Sequence, residues 1–158
     1  MALSQELHDR SELSWAFVNL ARVAEHDGDP TRAGLLAEQG VSLSRELGDP
    51  WYIAQALERL GEVVRLQGDY GRAATLYEES LALSRERGDK RNIATVLHNL
   101  GHVKLQQGDL DRAAAHFADS LALAHALNAV ECCRVLTYRA STRLRRRWSC
   151  RGFRRARR

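Results

Sequence analysis

Apolar residues return along this chain at helical spacing and then return again forty residues later. Between Ile53 and Gly88, the positions Leu57, Leu60, Val63 and Val64 fall at i, i+3, i+6 and i+7, one stripe of a helix. Gly68-Asp69 interrupts the stripe: glycine takes the left-handed conformation that ends a helix, and the aspartate can accept N–H groups that open the next. A second stripe follows, Ala73, Leu76, Tyr77, Leu81 and Leu83, and Gly88-Asp89 ends it in the same way. The unit predicted is a helical hairpin. Gly61 and Ala73 are expected where its two helices approach most closely, because larger side chains there would hold the backbones apart.

The unit recurs in register. Gly-Asp pairs stand at 28–29, 68–69 and 108–109, Arg-Ala pairs at 32–33, 72–73 and 112–113, and leucines at 20, 60 and 100 and at 43, 83 and 123. A fixed period of this size means one supersecondary unit copied and stacked, each copy burying an apolar face it could not bury alone. These residues resemble the tetratricopeptide repeat. Its pattern is met by Leu57, Leu60, Gly61, Val64, Ala73 and Tyr77, again by Leu97, Leu100, Gly101, Ala113 and Phe117, and more loosely by Phe17, Leu20, Ala21, Ala24, Ala33 and Ala37. The second helix runs longer than in the 34-residue form, ending in Arg45-Glu46-Leu47-Gly48-Asp49 or Arg85-Glu86-Arg87-Gly88-Asp89. That is similar to the roughly 40-residue subclass found in kinesin light chains, cell-polarity adaptors and bacterial regulators. The resemblance implies an all-α fold, a right-handed α-α superhelix of antiparallel helix pairs.

Repeats are expected at about 12–49, 52–89 and 92–128, within a solenoid spanning 1–142. Ala2 to Asp9 aligns with Ser42 to Asp49, so 1–9 reads as half of a preceding second helix. Residues 130–142 read as a truncated fourth first helix, with Val130, Cys133, Leu136 and Ala140 as its stripe. Both ends therefore look cut, and a segment of a longer array is expected, with any effector domain upstream of it.

Charge changes the picture only at one end. Of a net +4 at pH 7, residues 143–158 contribute nine arginines and no acid, which leaves the repeat body near −5. Only this tail, with Trp148 and Phe153 interleaved, could hold nucleic acid or an anionic membrane. Its patternless Arg-rich string reads rather as a disordered or out-of-frame segment.

Chemistry for catalysis is missing from the sequence: it has no nucleophile elbow, P-loop or G-x-G-x-x-G, so an enzyme is not expected. His98 and His102 have the i, i+4 spacing of zinc ligands but lack the glutamate of H-E-x-x-H, and neither a metal nor a cofactor is expected. Cys132, Cys133 and Cys150 imply no disulfide framework. With no apolar run near 18 residues and no signal-peptide pattern, a reduced, cytoplasmic protein is expected.

The resemblance implies function through a surface. First helices line the inner curve of such arrays and form a trough for an extended or helical peptide. Carried across, the groove positions are Trp15, Val18, Asn19, Arg22 and Glu25, then Gln55, Glu58, Arg59, Glu62 and Arg65, then Thr95, His98, Asn99, His102 and Gln106. Asn19 and Asn99 are expected to grip a peptide backbone, and Arg59, at the matching place, to face a carboxylate. Trp51 and Tyr52 are expected to pack in the seam between repeats. Stacking of uncovered ends on another copy, by which the chain would self-associate, is an alternative mode of action.

Overall fold

A computed structural model describes residues 2–127, with side chains from Asp9 onward. The expectations for 128–142 and for the Arg-rich tail, Cys132, Cys133 and Cys150 among them, lie outside the described residues. Among the described residues six helices follow one another: α1 (Ala2–His26), α2 (Pro30–Leu47), α3 (Pro50–Leu66), α4 (Tyr70–Arg87), α5 (Lys90–Gln106) and α6 (Leu110–Ala126). They pack as consecutive hairpins, α1 on α2, α3 on α4 and α5 on α6, and each hairpin stacks on the next through α2 on α3 and α4 on α5. No strand occurs among the described residues. The fold is the all-helical solenoid of stacked pairs that the periodicity predicts.

Local chemistry sets every break. Gly28, Gly48, Gly68, Gly88 and Gly108 all have positive φ, between 69° and 90°. An L side chain there costs about 1–2 kcal/mol, which is why only glycine recurs. The next residue is each time an aspartate whose carboxylate accepts a backbone N–H of the following turn, as Asp69 does from Arg72 at 3.0 Å and Asp109 from Arg112 at 3.1 Å.

One boundary differs from expectation. His8-Asp9 stands where Gly48-Asp49 and Gly88-Asp89 stand in the other copies, and α1 passes through it as one 25-residue helix. Without glycine the left-handed turn is disfavoured, so the backbone continues, and residues 2–9 extend the first helix instead of forming a separate half-hairpin.

Inside the hairpins the core runs as one ribbon through all three copies, with Ala21, Ala37, Leu57, Val63, Tyr77, Val96, Leu100 and Val103 in a single cluster. Gly61 lies under the ring of Tyr77 and Gly101 under that of Phe117. In the first copy the matching positions are Ala21 and Ala37, both fully buried. Removing the ring makes room for the methyl group, so the close approach is kept by a different pair.

A second device is conserved in the same compensated way. Ser80 Oγ donates to the Ala54 carbonyl at 2.8 Å, and Ser120 Oγ to that of Ala94 at 2.7 Å, tying the helices of the second and third hairpins. The first hairpin has Gly40 and Ser14 at these positions, and the bond is reversed: Ser14 Oγ donates to the Gly40 carbonyl at 3.2 Å. These hydroxyls are buried, so a partner is obligatory whichever helix supplies the donor.

Candidate functional site: the inner face

α1 lies against α3 and α3 against α5, whereas the second helices are bridged by long side chains, Glu38 to Arg72 at 2.9 Å and Arg45 to Glu79 at 2.9 Å. The first helices therefore form the closer-packed, inner side of the stack.

The residues expected to face this side divide into two groups. One is buried and consumed in bonds between the helices themselves. Asn99, 3% exposed, donates through Nδ2 to Glu58 Oε1 at 3.0 Å, joining α5 to α3. Arg59 is ion-paired with Glu62 on its own helix and lies 3.7 Å from Glu25 on α1, joining α3 to α1. Arg65 stands 3.9 Å from the other oxygen of Glu62, which is itself 1% exposed. Burial works against the charge of Arg59, but the carboxylates of Glu58, Glu62 and Glu25 outweigh it and hold the guanidinium above its ordinary range.

Two of the expected groove residues are held within the stack. The Asn99 side chain is almost fully covered and its Nδ2 already donates within the chain, so it acts as a rung between helices. Carboxylates of the chain itself, Glu25, Glu58 and Glu62, stand around Arg59. Val18 is likewise core, at 6% exposed. For Asn99 and Arg59 the neighbouring hairpin supplies a partner, Glu58 and Glu25 in turn. The available signal was that Glu58 and Asn99 occupy nearly the same register in adjacent copies.

The second group stays accessible. Trp15 is 36% exposed, and its ring stacks at a tilt on Trp51, 5.4 Å between centroids, while Trp51 meets Tyr52 edge-on at 4.9 Å. Trp51 and Tyr52 are half-buried, so the three rings form a ledge across α1 and α3. Arg22 is exposed and Gln55 half-buried. Asn19 donates to the Trp15 carbonyl at 2.9 Å and accepts from Arg22 at 3.2 Å, which leaves its amide turned to its own helix. At the far end of the inner face His98 and His102 bring their Nε2 atoms to 3.1 Å, and both rings lie within 5.4 Å of Phe117. Among the described residues no cluster of three His, Cys, Asp or Glu is placed to hold a metal ion.

Residues 52–126 match the family model described as tetratricopeptide repeat. This stretch of the chain carries tetratricopeptide repeats. The array resembles the solved TPR domain of Arabidopsis FLU at a TM-score of 0.66 and 19% identity, over 72% of this chain and 95% of that one. It resembles BtubC (BKLC) from P. vanneervenii at 0.61 and 21%, over 81% of this chain and 59% of that one. The N-terminal domain of stress-induced protein-1 (STI-1) from C. elegans aligns at 0.58 and 17%, over 82% and 95%. At these identities the likeness establishes the fold. Among curated proteins no sequence matches the chain. Tetratricopeptide arrays are in general non-catalytic modules that bind other proteins. No helix among the described residues is long and apolar enough to cross a membrane.

Proposed function

We propose that this tetratricopeptide array binds a peptide segment of another protein along its inner face, with the Trp15–Trp51–Tyr52 ledge as the apolar anchor and Arg22, Gln55, His98 and His102 as polar contacts. The observation that carries the reading is the half-exposed aromatic ledge set across α1 and α3, two helices that pack on each other and are joined by the Arg59–Glu25 ion pair. Rigid aromatic surface beside fixed polar groups is the composition of binding hot spots, and a surface that is already ordered loses little entropy on binding. The roughly 40-residue period supports a regulatory or signalling scaffold as the setting, and a cytoplasmic location fits that role.

Panning a random peptide library on the full chain and measuring the hits by fluorescence anisotropy tests this. Trp15→Ala, and separately His98→Ala with His102→Ala, are expected to weaken the selected peptides by about tenfold or more, since hot-spot truncations exceed 1.4 kcal/mol. Peptides whose affinity ignores all three substitutions would overturn the reading. So would binding that collapses with added salt and vanishes on deletion of 143–158, which would assign it to the arginines.

A further inference from the structure

Along one side of α1 stand Leu13, Ala16, Leu20 and Val23, spaced by three, four and three residues. Forty residues on, the same stripe is Ile53, Ala56, Leu60 and Val63, and forty further it is Ile93, Val96, Leu100 and Val103. In α3 and α5 the stripe is covered by the preceding hairpin: Leu60 and Val63 are 5% and 1% exposed, Leu100 and Val103 2% and 0%. In α1 it is open, with Leu13 at 49%, Leu20 at 46% and Val23 at 53%.

The opposite edge shows the reciprocal pattern. Val41 of α2 and Leu81 of α4 are 7% and 6% exposed where each backs onto the following hairpin. Their equivalent on α6 is Leu121, at 45%. These open surfaces are the two halves of an interface the chain already makes twice within itself, α2 on α3 and α4 on α5. Both halves are in the register that the internal copies use.

We propose that a second copy of this chain docks on the open α1 stripe through its α6 edge, continuing the stack head to tail. The occupant follows from the register: the stripe on α1 repeats the pattern that α2 and α4 cover, and α6 repeats the covering helix. A head-to-tail contact of this kind is heterologous and does not close on itself, so it extends into chains of copies. It uses a different surface from the peptide-binding face, and Leu20→Glu leaves Trp15 and His98 in place, so the two activities can be read separately.

Sedimentation velocity of the full chain over a range of concentrations is the test. The expected result is a weight-average mass that keeps rising beyond a dimer. Leu20→Glu and Leu121→Glu should each shift association by about tenfold or more to higher concentration, because each would bury an unpaired carboxylate. Both residues are half-exposed in the single copy, so circular dichroism should remain that of the parent. Mixing the two variants should yield a discrete one-to-one pair, joined through the one intact head and the one intact tail. A chain that stays monomeric at every concentration would overturn the proposal and leave residues 130–142, which read as a first helix, as the cover of α6. So would Leu121→Glu protein that still dimerises alone, since that points to α1 meeting α1.

Discussion

The ring of Tyr77 rests on Gly61, so closely that a Cβ added there would lie 2.8 Å from Tyr77 Cε1. Gly61→Ala is therefore expected to force the ring or the helix aside, at about 1–3 kcal/mol by the usual penalty for overpacking a core. Urea denaturation measures it. In the Gly61→Ala background Tyr77→Ala should cost less than it does alone, because the pair then matches Ala21 and Ala37 of the first hairpin. A double-mutant cycle should show coupling of about 0.5–3 kcal/mol, and strict additivity would contradict the contact.

Tyr77 also makes alkaline stability informative. Burial raises its phenol well above the usual value near 10, with the nearby Arg65 only partly offsetting the shift. Because the folded chain holds this proton more tightly than the unfolded chain, its contribution is complete below pH 10. It is lost as pH rises from there towards the folded value. Tyr77→Phe, which copies the Phe117 arrangement of the third hairpin, should flatten that part of the stability curve. An unaltered slope above pH 10 would contradict the assignment.

Arg59 and Asn99 are expected to matter for stability before they matter for binding. Arg59→Met leaves Glu62 buried without its closest cation and should cost about 3–5 kcal/mol. Asn99→Ala removes a donor from Glu58 and should cost about 1–3 kcal/mol. Thermal unfolding of each variant checks both figures, and changes within 0.5 kcal/mol, as at an ordinary surface site, would show that these groups are not structural rungs.

Gly88→Ala places a methyl group on a backbone with φ of 69° and should cost about 1–2 kcal/mol. Asp69→Ala, which removes a helix cap, should cost about 1 kcal/mol. Equilibrium unfolding in urea resolves both.

The breaks and the core of the fold were legible in the residues because their causes are local. Gly68 needs only its own φ to end α3, Asp69 needs only the next turn, and the Leu60, Gly61 and Tyr77 pattern names a contact made within one hairpin. What the residues did not disclose shares the opposite property. Leu20 reads like Leu60 and Leu100, yet it is open where they lie against a preceding hairpin, and that is a fact about neighbours. Glu58 and Asn99 read as polar surface, and become interior only when adjacent copies bring a donor and a carboxylate to 3.0 Å. His8 could have been recognised, since it stands where the breaks between hairpins carry a glycine of positive φ.

The reversed serine tie of the first hairpin has a practical consequence for anyone recombining this array. Ser14 with Gly40, and Ala21 with Ala37, are solutions shared between two helices, and half of either solution is a defect. Chimeras joined at Gly48-Asp49 or Gly88-Asp89 inherit whole solutions and should fold. Chimeras joined at Gly28-Asp29 or Gly68-Asp69 can set Gly40 opposite Ala54, with no hydroxyl between them, or a tyrosine against a methyl group where glycine was required.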